Sequence, residues 1–432
     1  MAPSSILWQN DRKTVVLLDL PRSIEEAQVP SSQLTAGNGE APIKLRRLVS
    51  ALPPACPFPT PEPRKAGGSE PPTASPSAQV AELMTQAAVE SALEEIKASS
   101  YDGPWCLPRI LTNPTQPQKP PPTSSRATPP AAAAAATDNN PPHNNNHHPS
   151  PSNPPLPSPL DYHLPPNAHP IPATIPPTSP TTQQPCPLTT ATPPHFFHLL
   201  LLDPPWPNRS AKRKRTGAGA YTPAPNTTAI RTLLNNIPVA TRLAPGGLVG
   251  VWVTNAGRFA SLLTGPRGVM EAGWGVDVVG EWTWLKVTSK GEMVVGVDSV
   301  WRRPWERLVI GRRRGGDGSG NGGGNGGGNV GGMGSGMGSG SGAVAGKVIV
   351  AVPDVHSRKP NLRGLFEELL PERYEALEVF ARNLTAGWWA WGDEVLLFQK
   401  RECWVEAGEG EGGGEESDGE GEGVADGEGA GT

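Results

Sequence analysis

The residues best suited to chemistry in this sequence are Asp203, Pro204, Pro205 and Trp206, which directly follow the apolar run 196–202. Ligands of open α/β sheets bind beyond the carboxyl ends of the strands, so we expect the Asp203 carboxylate to face a cleft. Consecutive prolines fix φ at about −65° and remove two backbone donors, which leaves carbonyl oxygens free to accept hydrogen bonds. Trp206 adds a flat apolar surface. The tetrapeptide therefore combines an acidic acceptor, a rigid carbonyl acceptor and a stacking surface.

An exocyclic amine on a nucleobase matches this combination. Its two N–H groups can donate to the Asp203 carboxylate and the Pro204 carbonyl, while the ring stacks on Trp206. Two acceptors on the amine hydrogens favour a more tetrahedral nitrogen, which attack on carbon requires. The simpler alternatives are a structural turn that closes the strand and a chance occurrence, expected about once in a hundred such sequences.

Short apolar runs and helical spacing predict the elements that must position these residues. The run at 196–203 is continuously apolar, as expected for a strand buried on both faces of a parallel sheet. Alternating strands and helices predict an α/β sheet with right-handed crossovers. Further strands are predicted at 14–20, 248–255, 275–288, 307–314, 347–353 and 376–383, and helices at 77–97, 227–244, 259–274 and 362–374.

Composition divides the chain into four regions. With 53 Pro and 51 Gly among 432 residues, much of the sequence cannot form a core. Residues 1–105 are predicted to be a partly ordered accessory region and residues 106–192 a disordered Pro/Asn/Ala-rich linker. The Gly-rich stretch 315–342 is predicted to be a flexible insertion in the folded domain 193–404, because sheets tolerate long loop insertions at a small entropic cost. The tail 405–432 has ten acidic residues and no Lys or Arg, and is predicted to be disordered.

Several classes of protein are disfavoured by the same composition. The net charge is −4, but without the acidic tail the remaining chain carries about +6. The four cysteines are widely spaced, which argues against a disulfide framework or a zinc site and favours a reducing compartment. No signal peptide, membrane span or metal site is predicted.

Basic residues cluster near the tetrapeptide and again further along the chain. Asn208 and the run Lys212, Arg213, Lys214 and Arg215 lie just beyond Trp206, and Arg302 and Arg303 lie among tryptophans. Basic residues mixed with aromatic ones suit phosphate contact and base stacking, so these residues are predicted to bind nucleic acid. A nuclear import signal and a solvated loop are the alternatives for 212–215. Trp252, Trp282 and Trp284 are predicted to be core residues.

Five motifs occur in an order that resembles a known family: DPPWPNRS, VWVTN, EWTWLKVT, HSRKP and LEVFARNLTAGWWAWGDEVLLF. The order is similar to that of the MT-A family of adenine-N6 methyltransferases, and most of all to the branch of methyltransferase-like protein 4. The similarity covers about 195–404.

The resemblance implies a Rossmann-like α/β fold that uses S-adenosylmethionine. It also implies a circularly permuted motif order, in which the catalytic DPPW precedes the cofactor strand, here 376–383. In the family, the matching residues lie at the cofactor: Arg382 and Asn383, the pair Asp393 and Glu394 on the ribose hydroxyls, Lys359 near the carboxylate, and Asp203 near the methionine amino group.

The sequence thus predicts a methyltransferase that acts on the adenine N6 amine of a nucleic acid, in the nucleus, with a cytoplasmic pool left open. The resemblance allows RNA, including small nuclear RNA at a 2′-O-methylated adenosine, or DNA. A catalytically inactive nucleic-acid-binding partner subunit and a largely disordered scaffold are the alternatives, and the retained Asp203 argues against the first. Whether the protein is a monomer or part of a heteromeric complex stays open.

Overall fold

The computed structural model describes residues 4–34, 45–59, 76–111, 161–175, 186–188, 196–207, 224–299, 302–314 and 342–406. Nearly all of the predicted Gly-rich insertion and of the acidic tail lie outside these residues, as does the basic run 212–215.

The described strands are β1 (Ile6–Gln9), β2 (Val15–Leu18), β3 (Arg47–Leu48), β4 (His169–Ile171), β5 (Phe197–Leu202), β6 (Leu243–Val253), β7 (Val276–Lys286), β8 (Trp305–Arg313), β9 (Lys347–Ala351), β10 (Ala376–Val379), β11 (Trp389–Trp391) and β12 (Trp404–Val405). The α-helices are α1 (Leu20–Glu26), α2 (Ser31–Leu34), α3 (Pro76–Ala98), α4 (Thr227–Asn235), α5 (Val239–Arg242), α6 (Gly257–Thr264) and α7 (Arg363–Phe366). A π-helical turn follows α6 at Val269–Gly273, and 3-10 turns lie at Glu367–Leu369 and Arg401–Cys403.

Ten strands form one mixed sheet in the order β1-β2-β9-β7-β8-β6-β5-β10-β11-β4. Eight of them run in the same direction, and only β1 and β8 are antiparallel to their neighbours. The carboxyl ends of the eight parallel strands therefore meet at one edge, which we call the carboxyl edge, and β8 begins there. The predicted α/β fold is confirmed.

The motif order of the sequence is permuted in the sheet. β5 pairs with β6 on one side and with β10 on the other, although the chain forms β6 to β9 before it returns to β10. The strand order thus reverses at β5, and a ligand-binding crevice is expected at such a switch point.

β5 is buried on both faces, as its apolar run predicted. Leu199 and Leu201 pack into the core on one side of the sheet, and Leu200 and Leu202 pack into the core on the other side. All four are at most 7% exposed. Burial of each leucine stabilises the fold by about 1.5–3 kcal/mol, so this short strand is held firmly in place. The predicted core tryptophans Trp252, Trp282 and Trp284 are also buried.

Three predicted helices are shorter than the sequence suggested, and the one predicted at 362–374 consists of α7 and a 3-10 turn that ends before Pro371. The Asn226 side chain accepts from the Ala229 backbone N–H and starts α4 at Thr227. That helix ends before Pro238, because proline cannot donate within a helix. The predicted helix 259–274 is likewise divided, with α6 ending before Pro266 and a π-helical turn following.

The N-terminal region is an integral part of the fold and not an accessory. β2 pairs in parallel with β9, so β1 and β2 extend the main sheet. Helix α3 lies where the helix 77–97 was predicted, and Val89, Leu93 and Ile96 bury its inner face.

The prediction of a disordered linker throughout 106–192 is wrong for part of that range. β4 pairs in parallel with β11 and forms an edge of the sheet. The strand contains Pro170, which an edge strand tolerates because one side of it makes no ladder hydrogen bonds. The strand was not predicted, because a Pro-rich sequence is more typical of coil. Within the described residues, no helix has the length and apolar character needed to cross a membrane.

Candidate active site

A cavity lies at the carboxyl edge, between the ends of β5 and β10. Its polar lining includes Asp203, Lys359, Asn361, Glu378 and Asn383, and Trp252 and Trp388 add aromatic walls. Ligand sites of open α/β sheets typically combine apolar walls with a few converging polar groups at this edge, and this cavity has both features.

The groups Asp203, Glu378 and Asn383 reach the cavity from the ends of two neighbouring strands. Asp203 is the first residue after β5, and its backbone N–H donates to the Val379 carbonyl at the end of β10 over 3.3 Å. Glu378 lies on β10, and Asn383 follows that strand. The parallel pairing of β5 and β10 is what brings these residues together.

A chain of alternating charges runs along the floor of the site. The Lys359 Nζ lies 3.2 Å from Asp203 Oδ1 and 3.1 Å from Glu306 Oε2. Lys286 also forms an ion pair with Glu306. The two ammonium groups lie over tryptophan rings, with Lys359 Nζ 5.7 Å from the Trp252 centroid.

Mutual attraction keeps these groups ionised despite burial. Burial alone would raise the pKa of Glu306, but the Lys286 and Lys359 ammonium groups hold it well below its usual value. Burial likewise opposes the charge on Lys359, yet the Asp203 and Glu306 carboxylates raise its pKa above the usual value. Lys359 is therefore a stable cation beside Asp203.

Glu378 behaves differently from the other carboxylates. Burial, which is the largest cause, and the nearby Asp203 charge raise its pKa to about 8, although Arg382 opposes the increase. Glu378 is thus largely protonated at neutral pH and places a neutral carboxyl group beside Asp203.

The prolines that follow Asp203 form a turn whose carbonyls are partly used. The Pro204 carbonyl accepts the Trp206 backbone N–H over 2.8 Å, and the Pro205 carbonyl accepts that of Ala224 over 2.9 Å. A carbonyl oxygen has two lone pairs, so the Pro204 oxygen keeps one acceptor position for a ligand.

Trp206 does not offer the stacking surface that was predicted. Its side chain is only 5% exposed and packs against Phe259, with 5.0 Å between the ring centroids. The indole Nε1 donates to the Trp252 carbonyl over 2.7 Å. Trp206 therefore fixes the turn after β5 against β6, and its role is to position Asp203 rather than to contact a base.

The residues that the family resemblance placed at the cofactor lie at the same edge. Arg382 Nε donates to Glu394 Oε2 over 3.0 Å, so the Glu394 carboxylate is already engaged by a guanidinium. Asp393 directly follows Gly392 beyond the end of β11 and is exposed. Because β10 and β11 are parallel neighbours, Arg382, Asn383 and Asp393 follow adjacent strand ends, and of these three residues Asn383 lines the cavity.

The predicted nucleic-acid-binding residues divide into two groups. Asn208 and the run at 212–215 lie outside the described residues. Arg302 is exposed, but Arg303 is engaged elsewhere: its Nε lies 2.6 Å from Glu82 Oε1 on α3, and its Nη1 donates to the Val297 carbonyl. Arg303 thus attaches α3 to the sheet, and its contact with nucleic acid stays a prediction.

The loop that carries Lys359 is held by the N-terminal region. The buried Asp354 carboxylate accepts from the Ala51 backbone N–H over 2.6 Å and from Arg109 Nη1 over 3.3 Å. Arg109 also donates to the Pro353 carbonyl, and the Asn361 backbone N–H donates to Ser23 Oγ. Sequence reasoning missed these contacts because their partners are far apart in the chain.

Sequence reasoning also missed Glu306 and Lys286. Glu306 is the second residue of β8, and Lys286 is the last residue of β7. Since β8 is antiparallel to β7, its first residues lie beside the last residues of β7, with Trp284 opposite Glu306. The WER and WLK sequences carry no signal for this pairing without the strand direction. Among the described residues, no group of His, Cys, Asp and Glu could hold a metal ion.

Comparison with known proteins places this site in a family context. The MT-A70 family profile matches residues 197–394, which include β5, the cavity residues and β10. A Cryphonectria parasitica protein named N6-methyladenosine RNA methyltransferase MTA1 is 40% identical over 403 residues, which is 93% of this chain and 95% of that protein. The Pyricularia oryzae protein of the same name is 41% identical over 94% of this chain and 97% of its own length.

A more distant relative matches only the catalytic half. The human N(6)-adenine-specific methyltransferase METTL4 is 32% identical over 215 residues, or 50% of this chain and 40% of that protein. The similarity to the fungal proteins therefore also includes the N-terminal region that holds the Lys359 loop.

Proposed function

The chain belongs to the MT-A70 family of adenine-N6 methyltransferases, and we propose that it methylates adenosine in RNA with S-adenosylmethionine bound in the cavity at the carboxyl edge. Methylation of adenine N6 in nucleic acid is the activity of this chain, and methyltransferases of this family use S-adenosylmethionine. The choice of RNA is supported by the two fungal relatives, which match nearly the whole chain and are named as RNA methyltransferases.

The observation that carries the proposal is the placement of Asp203, Lys359, Glu378 and Asn383 around one cavity at the switch point of the sheet. S-adenosylmethionine supplies an electrophilic methyl group on a sulfonium and carries both an ammonium and a carboxylate. The lining fits such a molecule, because carboxyl groups can face its positive charges and the Lys359 ammonium can face its carboxylate. Asp393 is available as an acceptor for ribose hydroxyls.

On the substrate side, Asp203 holds the reacting amine. Its carboxylate accepts one N–H of adenine N6, and the free lone pair of the Pro204 carbonyl accepts the other. Both hydrogen bonds strengthen as the nitrogen becomes tetrahedral and gains positive charge. After the methyl group has bonded to nitrogen, the nitrogen must lose one proton, and an Asp203 carboxylate oxygen is placed to accept it. The Lys359 ammonium lies 3.2 Å from that carboxylate and holds it in place.

Methyl transfer to matched substrates tests both the activity and the choice of RNA. The full-length protein is incubated with labelled S-adenosylmethionine and with single-stranded RNA, single-stranded DNA or duplex DNA of one sequence. We expect N6-methyladenosine in RNA, with at least tenfold lower transfer to the DNA substrates. Preferred labelling of DNA would contradict the proposal of RNA but not the family activity.

The role of Asp203 is tested with an isosteric change. We expect Asp203→Asn to reduce transfer by at least a hundredfold, because an amide oxygen is a weaker acceptor and its NH₂ opposes the amine. The matched control is Glu402→Gln, an exposed carboxylate outside the cavity. Transfer by Asp203→Asn at the rate of this control would remove Asp203 from the mechanism.

We also propose that the protein is nuclear, on the basis of the basic run Lys212–Arg215. A fluorescent fusion of the full chain should accumulate in nuclei, and replacing the four basic residues with Gln should redistribute it. Equal distribution of both fusions would contradict nuclear import through this run.

A further inference from the structure

Helices α4 and α6 carry a cationic surface that the predicted nucleic-acid-binding residues do not include. Between Ala224 and Trp274 the sequence contains four arginines and a single carboxylate, Glu271. Arg231 lies on α4, Arg258 is the second residue of α6, and Arg267 follows that helix. We call these three residues the arginine surface. Arg258 and Arg267 are exposed, and Arg231 is half-buried.

The arginine surface begins beside the active site. α6 starts just beyond the carboxyl end of β6, which is the parallel neighbour of β5. The Arg258 guanidinium lies 4.6 Å from the centroid of the Phe259 ring, and that ring packs on Trp206 of the DPPW motif. Arg258 thus contacts Phe259, which in turn contacts Trp206 of the catalytic turn.

From there the surface extends away from the carboxyl edge. α6 has eight residues and is therefore roughly 12 Å long, and Arg267 follows its carboxyl end. Arg231 Nη1 donates to the Arg267 carbonyl over 3.1 Å, so these two residues are neighbours. Arg258 thus lies at the start of α6, and Arg231 and Arg267 lie together beyond its end.

Several other arginines of the described residues are paired with carboxylates. Arg303 is paired with Glu82, Arg314 with Asp277 and Arg382 with Glu394. In the part of the chain that the structure describes, no carboxylate oxygen lies within 4.0 Å of Arg231, Arg258 or Arg267. The local carboxylate, Glu271, lies 4.0 Å from Arg314 instead. The arginine surface therefore keeps its positive charge for an external anion.

We propose that the arginine surface binds the phosphates of the RNA strand on one side of the target adenosine. This inference rests on the proposed function, because it requires a nucleic-acid strand to leave the active site. Guanidinium groups suit phosphates, since their donors match two oxygens at once and are weakly hydrated. The contact between Arg258 and Phe259 also restricts that side chain before the strand arrives, which lowers the entropy lost on binding. A solvated helix face with no ligand is the competing explanation.

The salt dependence of RNA binding separates these explanations. The variant is the triple substitution Arg231→Gln, Arg258→Gln and Arg267→Gln in the full chain, and the probe is a fluorescent single-stranded RNA with one adenosine. Each phosphate contact on a single strand contributes a slope of about −0.7 in log K against log salt. Loss of three contacts should make the slope less steep by about 2 and weaken binding at 0.15 M salt by about fiftyfold.

A matched control removes the same charge elsewhere. Arg12, Arg373 and Arg401 are exposed, and Arg12 and Arg373 precede β2 and β10, at the opposite edge of the sheet. Their replacement with Gln should change the slope by less than 0.5 and the affinity by less than threefold. Equal effects of the two triple variants would show that only net charge matters and would overturn the proposal.

Further measurements distinguish misfolding and failure of the proposed function. A triple Arg→Lys variant of the arginine surface should keep the salt slope while it loses part of the affinity, which general unfolding would not produce. S-adenosylmethionine binding, measured by calorimetry, should be the same in all variants.

If the wild type transfers methyl groups to RNA but its affinity for RNA does not depend on these arginines, the proposal that the arginine surface binds RNA is refuted and the proposed methyltransferase function is retained. If the wild type binds RNA through these arginines but transfers no methyl group to it, the proposed methylation of RNA is refuted and the proposal that the arginine surface binds RNA is retained.

Discussion

The pH dependence of stability should reveal the neutral carboxyl group in the active site. Glu378 has a pKa of about 8 in the folded protein, against an ordinary value of 4.5, because burial and the nearby Asp203 oppose its ionisation. Between these two pH values the folded protein holds a proton that the unfolded chain has released. The free energy of unfolding should therefore fall as pH rises from about 4.5 to about 8.

The size of this effect follows from the pKa difference. At about 1.4 kcal/mol per pH unit, the interval corresponds to an upper limit of about 5 kcal/mol. The Glu378 side chain is only partly buried by surface area, so solvent reduces the expected effect to about 2 kcal/mol. Glu378→Gln resembles the protonated carboxyl group at every pH. We expect it to match the wild type at pH 5 and to be about 2 kcal/mol more stable at pH 9.

Thermal unfolding between pH 5 and pH 9 measures the difference. For a domain of this size, about 2 kcal/mol corresponds to roughly 4–8 °C in Tm. The control is Glu372→Gln, which removes an exposed carboxylate of the same type, and its Tm should follow the wild type at each pH. If Tm of Glu378→Gln and of the wild type changed in parallel across this range, the carboxyl group would be ionised throughout and the reasoning would fail.

Two further predictions concern ion pairs that sequence reasoning missed. Glu306→Ala leaves Lys286 and Lys359 without their shared carboxylate, so we expect the free energy of unfolding in urea to fall by about 3–5 kcal/mol. A decrease below about 1 kcal/mol would show that the two lysines find other partners. Arg303→Gln breaks the ion pair with Glu82 and should increase hydrogen exchange along α3, while the affinity for RNA changes by less than twofold. A tenfold loss of RNA affinity would show instead that Arg303 contacts the nucleic acid.

The central part of the site was predictable because local patterns determine it. An apolar run followed by Asp203 implies a buried strand that ends at a polar group, and β5 is such a strand. The alternation of strands and helices predicted the parallel sheet, and parallel strands share their carboxyl edge. These inferences need only neighbouring residues and the periodicity of the chain.

The remaining features depend on partners that are distant in sequence. Trp206 is buried because the Trp252 carbonyl accepts its indole N–H, and that carbonyl belongs to another strand. Arg303 looked available because Glu82 lies more than two hundred residues earlier. β4 was missed because its proline suggested coil, and only its place at the sheet edge makes that proline acceptable.

The reversed direction of β8 is what balances charge around Asp203. A sheet of parallel strands alone would bring Lys286, Asp203 and the Lys359 loop to the carboxyl edge, which gives two lysines and one aspartate. Because β8 is antiparallel, Glu306 enters at the same edge and pairs with both lysines. Lys359 therefore shares its donors between two carboxylates, and Asp203 keeps lone pairs for the substrate amine. A carboxylate bound by Lys359 alone would accept the amine less well, so the one antiparallel strand in the middle of the sheet contributes directly to the chemistry.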